Sequence, residues 1–172
     1  MRIFLIGYMG AGKSTVGKQL ARELNVPWFD LDAVITENEE QTIQEIFDKN
    51  GESGFRGAER NYLQKIVEAQ PNMVLSTGGG TPCFYDNMHF MQQNGTVVYL
   101  EMDPGTLAHR LKNSKASRPL IRQIPEDQLK IHIRNHLEER IAIYNDAHIV
   151  FPAMGMNKGK IEKLIAQLKE FN

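Results

Sequence analysis

The sequence lacks three features that would point to a disulfide-bonded, membrane-spanning or strongly charged protein. Its 172 residues include a single cysteine, Cys83, which excludes a disulfide within the chain. No apolar run approaches the roughly 20 residues that a membrane-spanning helix needs. The formal net charge is −1, because 20 Lys and Arg nearly balance 21 Asp and Glu. Any binding of anions must therefore come from local clusters of residues rather than from the overall charge.

These absences predict a cytoplasmic protein that binds neither nucleic acid nor a membrane. The N-terminal residues do not show the charged, apolar and small-residue regions of a signal peptide. One cysteine is compatible with a reducing cytosol. A length of 172 residues, 41% of them hydrophobic, predicts one domain with a sizeable core. There is no internal repeat, low-complexity tract or linker.

The segment Gly7–Thr15 fits G-x-x-x-x-G-K-[ST], the pattern of a loop that cradles nucleotide phosphates. The apolar run Arg2–Ile6 precedes it, and apolar residues at helical spacing follow it in Val16–Leu24. Glycines allow the loop amides to converge at a helix N-terminus, where the helix dipole favours an anion. Lys13 would supply a cation for the β- and γ-phosphates, and Ser14 a hydroxyl for Mg²⁺. The alternative is a glycine-rich turn that only caps a helix.

Strand-like and helix-like segments alternate along the rest of the chain, which predicts a parallel sheet covered by helices on both faces. Gly51 is a predicted helix end, and Asp103 a predicted N-cap with Pro104 in the first turn. The predicted strands are 2–6, 26–32, 73–77, 96–101 and 147–151. The predicted helices are 16–24, 33–50, 86–93, 126–145 and 157–171, together with one helix that ends at residue 69 and one that begins at residues 103–104.

Polar clusters follow the first three predicted strands. They are the phosphate loop, the pair Asp30 and Asp32, and the run Gly78–Gly80. Ligands bind outside the carboxyl ends of parallel strands, so these clusters should line one crevice. One aspartate could hold Mg²⁺ while the other accepts a proton or hydrogen bond from a substrate hydroxyl. Asp32 could instead cap the next helix, and the glycine run could be either a close approach to a ligand or a flexible turn.

Three arginines are candidates for binding anionic groups. Arg56 and Arg140 could each grip a carboxylate with two parallel hydrogen bonds, although each alone also fits a surface position. Arg118 lies beside Pro119 in the polar segment 113–125. That segment is either a cationic lid that closes over ATP or a solvated loop.

The histidines and the cysteine show no convincing catalytic or metal-binding pattern. His132 and His136 are four residues apart on a predicted helix, but no HExxH pattern accompanies them, so we expect an exposed helix face. Cys83 has no evident activating partner and is expected to be inert.

Six segments, taken in order, are similar to one family, and the resemblance extends over nearly the whole chain. They are 7–17, 29–32, 54–56 with Glu59, 76–80, 118–120, and 139–140 with Tyr144. With these segments the chain resembles the shikimate kinases, small P-loop kinases related to the nucleoside monophosphate kinases. The phosphate loop alone is shared by many families, whereas the whole set in this order is specific.

The resemblance implies a three-layer αβα P-loop kinase fold with five parallel strands in the order 2-3-1-4-5. Residues 1–172 would form a single kinase domain with a shikimate-binding helical insert at about 33–61 and a mobile lid at about 112–125. The implied reaction is ATP-dependent phosphorylation of the shikimate 3-hydroxyl to give shikimate 3-phosphate and ADP, in the chorismate pathway to aromatic amino acids. ATP, Mg²⁺ and shikimate would be the ligands, and the protein a monomer.

The resemblance also implies roles for individual residues. Lys13 and Arg118 would steady the γ-phosphoryl group, and Asp32 would orient the attacking hydroxyl or act as its base. Asp30 would reach Mg²⁺ through water beside Ser14. The implied nucleotide-binding residues are Gly10, Ala11, Gly12, Lys13, Ser14, Thr15, Arg110 and Arg118, with Arg110 near an adenine-stacking position. The implied substrate-binding residues are Asp32, Arg56, Gly78, Gly79, Gly80 and Arg140, with the two arginines on the carboxylate.

One segment departs from the family pattern, and other functions stay open. Residues 151–157 follow the last predicted strand and contain no arginine where the family sometimes has an adenine contact. A gluconate kinase shares the small P-loop scaffold and acts on an acidic polyol, but the paired aspartates, triple glycine and segment 118–120 argue against it. A nucleoside monophosphate kinase needs a base pocket that is not evident. A nucleotide-binding module without catalysis is disfavoured by the intact loop and acids.

Overall fold

The computed structural model describes residues 1–113 and 124–171. Five strands form one sheet, in which β1 (Arg2–Ile6) is central. The others are β2 (Trp28–Asp30), β3 (Met73–Ser76), β4 (Thr96–Glu101) and β5 (Ile149–Pro152). The strand order is β2-β3-β1-β4-β5 and every pair is parallel, which confirms the expected topology.

Helices connect the strands and complete a three-layer α/β architecture. They are α1 (Lys13–Leu24), α2 (Leu31–Glu39), α3 (Ile43–Ala69), α4 (Asn87–Asn94), α5 (Pro104–Lys112), α6 (Glu126–Asn145) and α7 (Lys158–Phe171), with a short 3₁₀ turn over Thr81–Cys83. Asp103 caps α5 as predicted, because its Oδ1 accepts a hydrogen bond from the Thr106 amide at 2.9 Å. Within the described ranges, no helix combines the length and the apolarity needed to cross a membrane.

The predicted helix over residues 33–50 is in fact two helices. Glu40 adopts left-handed backbone angles (φ 52°) and ends α2. Thr42 then begins α3 with a capping box, in which its side chain and that of Glu45 each accept from the other's backbone amide. Gly51 (φ 67°, ψ −177°) breaks the helical geometry, as predicted, but the chain resumes the helix at once and α3 is kinked rather than ended there.

The core explains why the central strands are continuous apolar runs. In β1, β3 and β4 the residues Ile3–Ile6, Met73–Leu75 and Val97–Leu100 are all fully or almost fully buried. Strands buried on both faces need no alternation of polar and apolar residues. The register pairs Leu5 with Ser76 and Ser76 with Asp30, so the loops after β1, β2 and β3 leave the sheet side by side.

Candidate active site

One cavity of about 390 Å³ lies at the carboxyl ends of β1, β2 and β3. It is lined by Met9, Gly10, Gly12, Lys13, Ser14, Thr15, Asp30, Asp32, Thr77, Gly78, Gly79, Arg110 and Leu111. The predicted convergence of the three polar clusters on one crevice is therefore confirmed. Among the described residues, Ala11, Arg56, Gly80 and Arg140 lie outside this lining. Arg118 and most of the predicted lid fall outside the described residues.

The phosphate loop is wrapped around the side chain of Lys13. Gly7, Gly10 and Gly12 have φ values of 134°, 84° and 95°, which residues with a β-carbon rarely adopt. The resulting turns bring two loop carbonyls close to the amine of Lys13. Its Nζ donates to the Gly7 carbonyl at 2.7 Å and to the Tyr8 carbonyl at 3.0 Å. The loop therefore folds around the Lys13 amine, a cation, and is more than a helix cap.

Ser14 and Asp30 form a compact pair of oxygen donors at the cavity. Oγ of Ser14 donates to Oδ2 of Asp30 at 2.6 Å. Asp30 is also the N-cap of α2, because its Oδ1 accepts from the amides of Asp32 at 3.2 Å and Ala33 at 3.4 Å. The alternative reading that Asp32 caps this helix is therefore wrong. The carboxylate of Asp32 instead faces the cavity.

The glycine run after β3 is packed tightly rather than flexible. A β-carbon at Gly78 would lie 2.5 Å from Oε1 of Glu59 and 3.2 Å from Oδ1 of Asp32. A β-carbon at Gly80 would lie 2.6 Å from Nη1 of Arg56. Glycine is thus needed at these positions because the side chains of Glu59, Asp32 and Arg56 approach the backbone, and the flexible-turn alternative is wrong.

Arg56 is a buried arginine, not a surface one. Its side chain is 4% exposed, and Nη1 lies 2.7 Å from Oε2 of Glu59, which is fully buried. Oε1 of Glu52 accepts from Nη2 at 2.9 Å and from Nε at 3.2 Å. The guanidinium also lies 4.2 Å from the ring centre of Phe84. Burial acts to lower the pKa of Arg56, and the two carboxylates raise it by more, so the guanidinium stays charged.

Arg140 is also buried, in the last third of α6. Its Nη1 is buried and has no hydrogen-bond partner within the described part of the chain. One turn later, Oη of Tyr144 donates to the Gly79 carbonyl at 2.5 Å, which ties α6 to the glycine run. Burial raises the pKa of Tyr144, so its hydroxyl remains a donor. A buried cation with an unsatisfied N–H group needs an anionic partner, which a ligand carboxylate could supply.

The prediction that His132 and His136 form an exposed helix face is wrong. His136 is half-buried, and its Nδ1 is hydrogen-bonded to Oη of Tyr8, in the phosphate loop, at 2.9 Å. Burial, with smaller contributions from the positive charges of Arg140 and His132, lowers the pKa of His136 to about 4. His136 is therefore neutral at pH 7 and joins α6 to the phosphate loop.

Sequence reasoning missed several supporting side chains. Ser76 accepts from Nε1 of Trp28 at 3.1 Å and donates to the Lys13 carbonyl at 3.0 Å, so it links β2, β3 and the start of α1. Glu52 and Glu59 lie four residues before and three residues after Arg56, a helical spacing that could have revealed both ion pairs. No comparable local signal marks Tyr8 and His136.

Two remaining predicted residues are placed as follows. Nη1 of Arg110, near the end of α5, donates to the Gly10 carbonyl at 3.1 Å and so lies over the phosphate loop. Burial raises the pKa of the Cys83 thiol, which agrees with an inert cysteine.

The matching family model and several similar proteins are all shikimate kinases. The family model described as shikimate kinase matches residues 9–169. A shikimate kinase of Bacteroides thetaiotaomicron is 46% identical over 171 residues, which are 99% of this chain and 97% of that protein. The crystal structure of a shikimate kinase from that species has a TM-score of 0.89 at 45% identity, over 99% of this chain and 97% of the other.

More distant structures agree on the fold. A shikimate kinase from Acinetobacter baumannii, solved in complex with shikimate, is 34% identical with a TM-score of 0.84, covering 98% of this chain and 90% of the other. A gluconokinase from Sinorhizobium meliloti is 15% identical with a TM-score of 0.59, covering 98% of this chain and 91% of the other, which shows a shared fold alone. From the family match and the identities over nearly full length, this chain belongs to the shikimate kinase family.

Proposed function

We propose that this protein transfers the γ-phosphoryl group of ATP to the 3-hydroxyl of shikimate, giving shikimate 3-phosphate and ADP in the chorismate pathway. The observation that carries the proposal is the cavity that the phosphate loop, Asp32 and the glycine run line together. Arg56, which abuts Gly80, and Arg140 on α6 are both buried, and two buried arginines suit a substrate that carries a carboxylate as well as hydroxyls.

The phosphate loop binds the triphosphate of ATP. The backbone amides of Gly10–Thr15 converge at the start of α1, where the helix dipole adds a partial positive charge. Lys13 exchanges its contacts with the two loop carbonyls for contacts with the β- and γ-phosphates. A cation at this point stabilises the charge on the phosphoryl group during transfer.

The pair of Ser14 and Asp30 fits a magnesium ion. Both offer oxygen atoms, the donors that Mg²⁺ prefers, and Mg²⁺ commonly completes its shell with waters and substrate phosphates. Within the described ranges, no three His, Cys, Asp or Glu side chains cluster to hold a metal by themselves. When bound, Mg²⁺ would neutralise charge on the β- and γ-phosphates.

Asp32 binds the acceptor. Its carboxylate lies between the phosphate loop and Gly78, so it can accept a hydrogen bond from the attacking hydroxyl and aim that oxygen at the γ-phosphorus.

Arg56 and Arg140 bind the substrate carboxylate. Arg56 abuts Gly80, and Arg140 lies one turn before Tyr144, which is hydrogen-bonded to the Gly79 carbonyl, so both arginines belong to elements that contact the glycine run. Gly78–Gly80 let the ring of the substrate lie against the backbone. Burial strengthens such charge-assisted hydrogen bonds because little water competes with them.

Arg110 and Arg118 complete the nucleotide site. Arg110 lies over the phosphate loop, where its planar guanidinium can stack on adenine. Arg118, in the lid at about 112–125, would reach the γ-phosphoryl group when ATP and shikimate are bound. Closure of the lid would exclude water and so prevent hydrolysis of ATP. We further propose that residues 1–172 act as a single-domain cytoplasmic monomer, with residues 33–61 as the shikimate-binding insert.

A coupled assay of ADP release tests the proposal. The purified protein is assayed with ATP and Mg²⁺ against shikimate, quinate, gluconate and the nucleoside monophosphates. We expect turnover with shikimate, with the other acceptors at least about 100-fold poorer in kcat/KM, since a site built around buried polar groups rejects analogues that leave them unpaired. Preferred turnover of gluconate or of a nucleotide would contradict the proposal.

A further inference from the structure

The two carboxylates that pair with Arg56 differ sharply in their surroundings. Glu59 is fully buried and also accepts from Oγ1 of Thr81, whereas the side chain of Glu52 is 51% exposed. Removing Glu59 from Arg56 would leave a charge buried without its partner, which is strongly destabilising. An exposed carboxylate returns to water at little cost. Of the two glutamates, only Glu52 can therefore be displaced from Arg56 at a small cost in free energy.

The charges at this position oppose the binding of a third carboxylate. Arg56 with Glu52 and Glu59 carries a formal charge of −1, so Arg56 offers an incoming carboxylate no net attraction while both glutamates are in place, and the positive charge that remains is that of Arg140. The substrate must therefore displace one of the two glutamates to gain the full attraction of the guanidinium.

The geometry shows which edge of Arg56 can be released. Glu52 takes the edge formed by Nε and Nη2, and both hydrogen bonds end on one oxygen, Oε1. A carboxylate that places one oxygen on each nitrogen makes two parallel and stronger bonds at such an edge. Glu52 follows directly after the break at Gly51, and its side chain is 51% exposed, so water can solvate the displaced carboxylate.

We propose that Glu52 is a competing carboxylate, which occupies the Nε–Nη2 edge of Arg56 in the free protein and is displaced by the carboxylate of shikimate. Glu52 is then a determinant of affinity, since part of the binding free energy of the substrate is used to separate this ion pair. The inference rests on the proposed function, and in particular on Arg56 as a carboxylate-binding residue.

The test is Glu52→Gln, which keeps the shape of the side chain and removes its charge. We expect KM for shikimate to fall about three- to fivefold, the fold-change that corresponds to an exposed ion pair, with kcat within twofold of the wild type. Glu68→Gln is the matched control, because Glu68 is an exposed residue 16 positions further along α3. A shikimate methyl ester, which lacks the carboxylate charge, should be bound equally by wild type and Glu52→Gln.

The outcomes separate the inference from the function on which it rests. An unchanged or raised KM in Glu52→Gln overturns the inference, as does an equal fall in Glu68→Gln or with the ester, because each would show a structural or long-range effect. In those cases the wild type still phosphorylates shikimate, and the proposed function stands. A wild-type protein without activity on shikimate overturns both.

Discussion

Nη1 of Arg56 lies 2.7 Å from Oε2 of Glu59, and this ion pair is buried beneath the glycine run. The pair has a structural role as well as the proposed role in binding, because each charge compensates the other away from water. Arg140 is buried without such an ion pair among the described residues. The two arginines proposed to share one carboxylate should therefore respond differently to substitution.

Arg56→Ala should lower the free energy of unfolding by about 3–5 kcal/mol, because it leaves Glu59 as an uncompensated buried charge. Urea denaturation at neutral pH measures this. A double variant, Arg56→Met with Glu59→Gln, should recover part of the loss, since it leaves no unpaired charge in the interior. A double variant that is less stable than Arg56→Ala would contradict this explanation.

Arg140→Ala should raise KM for shikimate by about 10- to 100-fold, the range expected for one charge-assisted hydrogen bond to the carboxylate. KM for ATP should change little. Arg134→Ala, at an exposed position on the same helix, is the control for the loss of a positive charge. An effect of Arg140→Ala mainly on ATP would place this arginine at the nucleotide instead.

Gly80→Ala should raise KM for shikimate on the order of 10- to 100-fold, because the new methyl group would lie 2.6 Å from Nη1 of Arg56 and displace the guanidinium. Gly57→Ala is the matched control on α3, since its β-carbon would meet only Oη of Tyr85 at 4.0 Å. That substitution should leave kinetics unchanged and stabilise the helix slightly. Normal kinetics in Gly80→Ala would show that the guanidinium adapts.

Lys13→Ala should reduce kcat at least about 100-fold, since it removes the cation that faces the charge developing on the phosphoryl group. Circular dichroism should show an intact fold. Lys18→Ala on the exposed face of α1 tests for a general effect of lost charge, because Lys18 lies over the Trp28 ring rather than in the cavity. Near-normal turnover in Lys13→Ala would remove Lys13 from the proposed mechanism.

His136 should make the stability of the protein depend on pH. Its folded pKa of about 4 lies below the ordinary value of 6.5, so the unfolded chain takes up the proton first. The stability that the neutral imidazole contributes is complete above pH 6.5 and is lost as the pH falls towards about 4.

Urea denaturation at pH 7 and pH 5 checks this dependence. The wild type should lose more stability between the two pH values than His136→Asn, which keeps a polar group that can hydrogen-bond to the Tyr8 hydroxyl but cannot be protonated in this range. Equal losses in both proteins would assign the pH dependence to other groups.

Local pattern predicted much of this structure, because the relevant interactions lie within a few residues. The phosphate-loop spacing gave the strand, loop and first helix, and the alternation of apolar runs gave the parallel sheet. Asp103 was predicted as a cap from its own position before Pro104. The strand order followed only from family resemblance, since periodicity does not say which strands are neighbours.

Prediction from the local sequence pattern failed where one residue type suits two structural roles. Asp30 and Asp32 both suit a helix start, and the choice of Asp30 as the cap depends on backbone angles at the end of β2. A glycine such as Gly51 is typical of a helix end, but the residues after it include Phe55 and Glu59, which are buried when the chain continues as a helix. The helix therefore resumes after Gly51.

The sequence by itself determined that an anion-binding loop and two carboxylates would meet at one edge of a parallel sheet, because the direction of each strand fixes where its end lies. Only the tertiary structure decided that Arg56 and Arg140 are buried and that His136 contacts the loop. Tyr8 and His136 are 128 positions apart, and Tyr144 and Gly79 are 65 apart. Contacts at such separations depend on how α6 packs against the sheet, which no local spacing encodes.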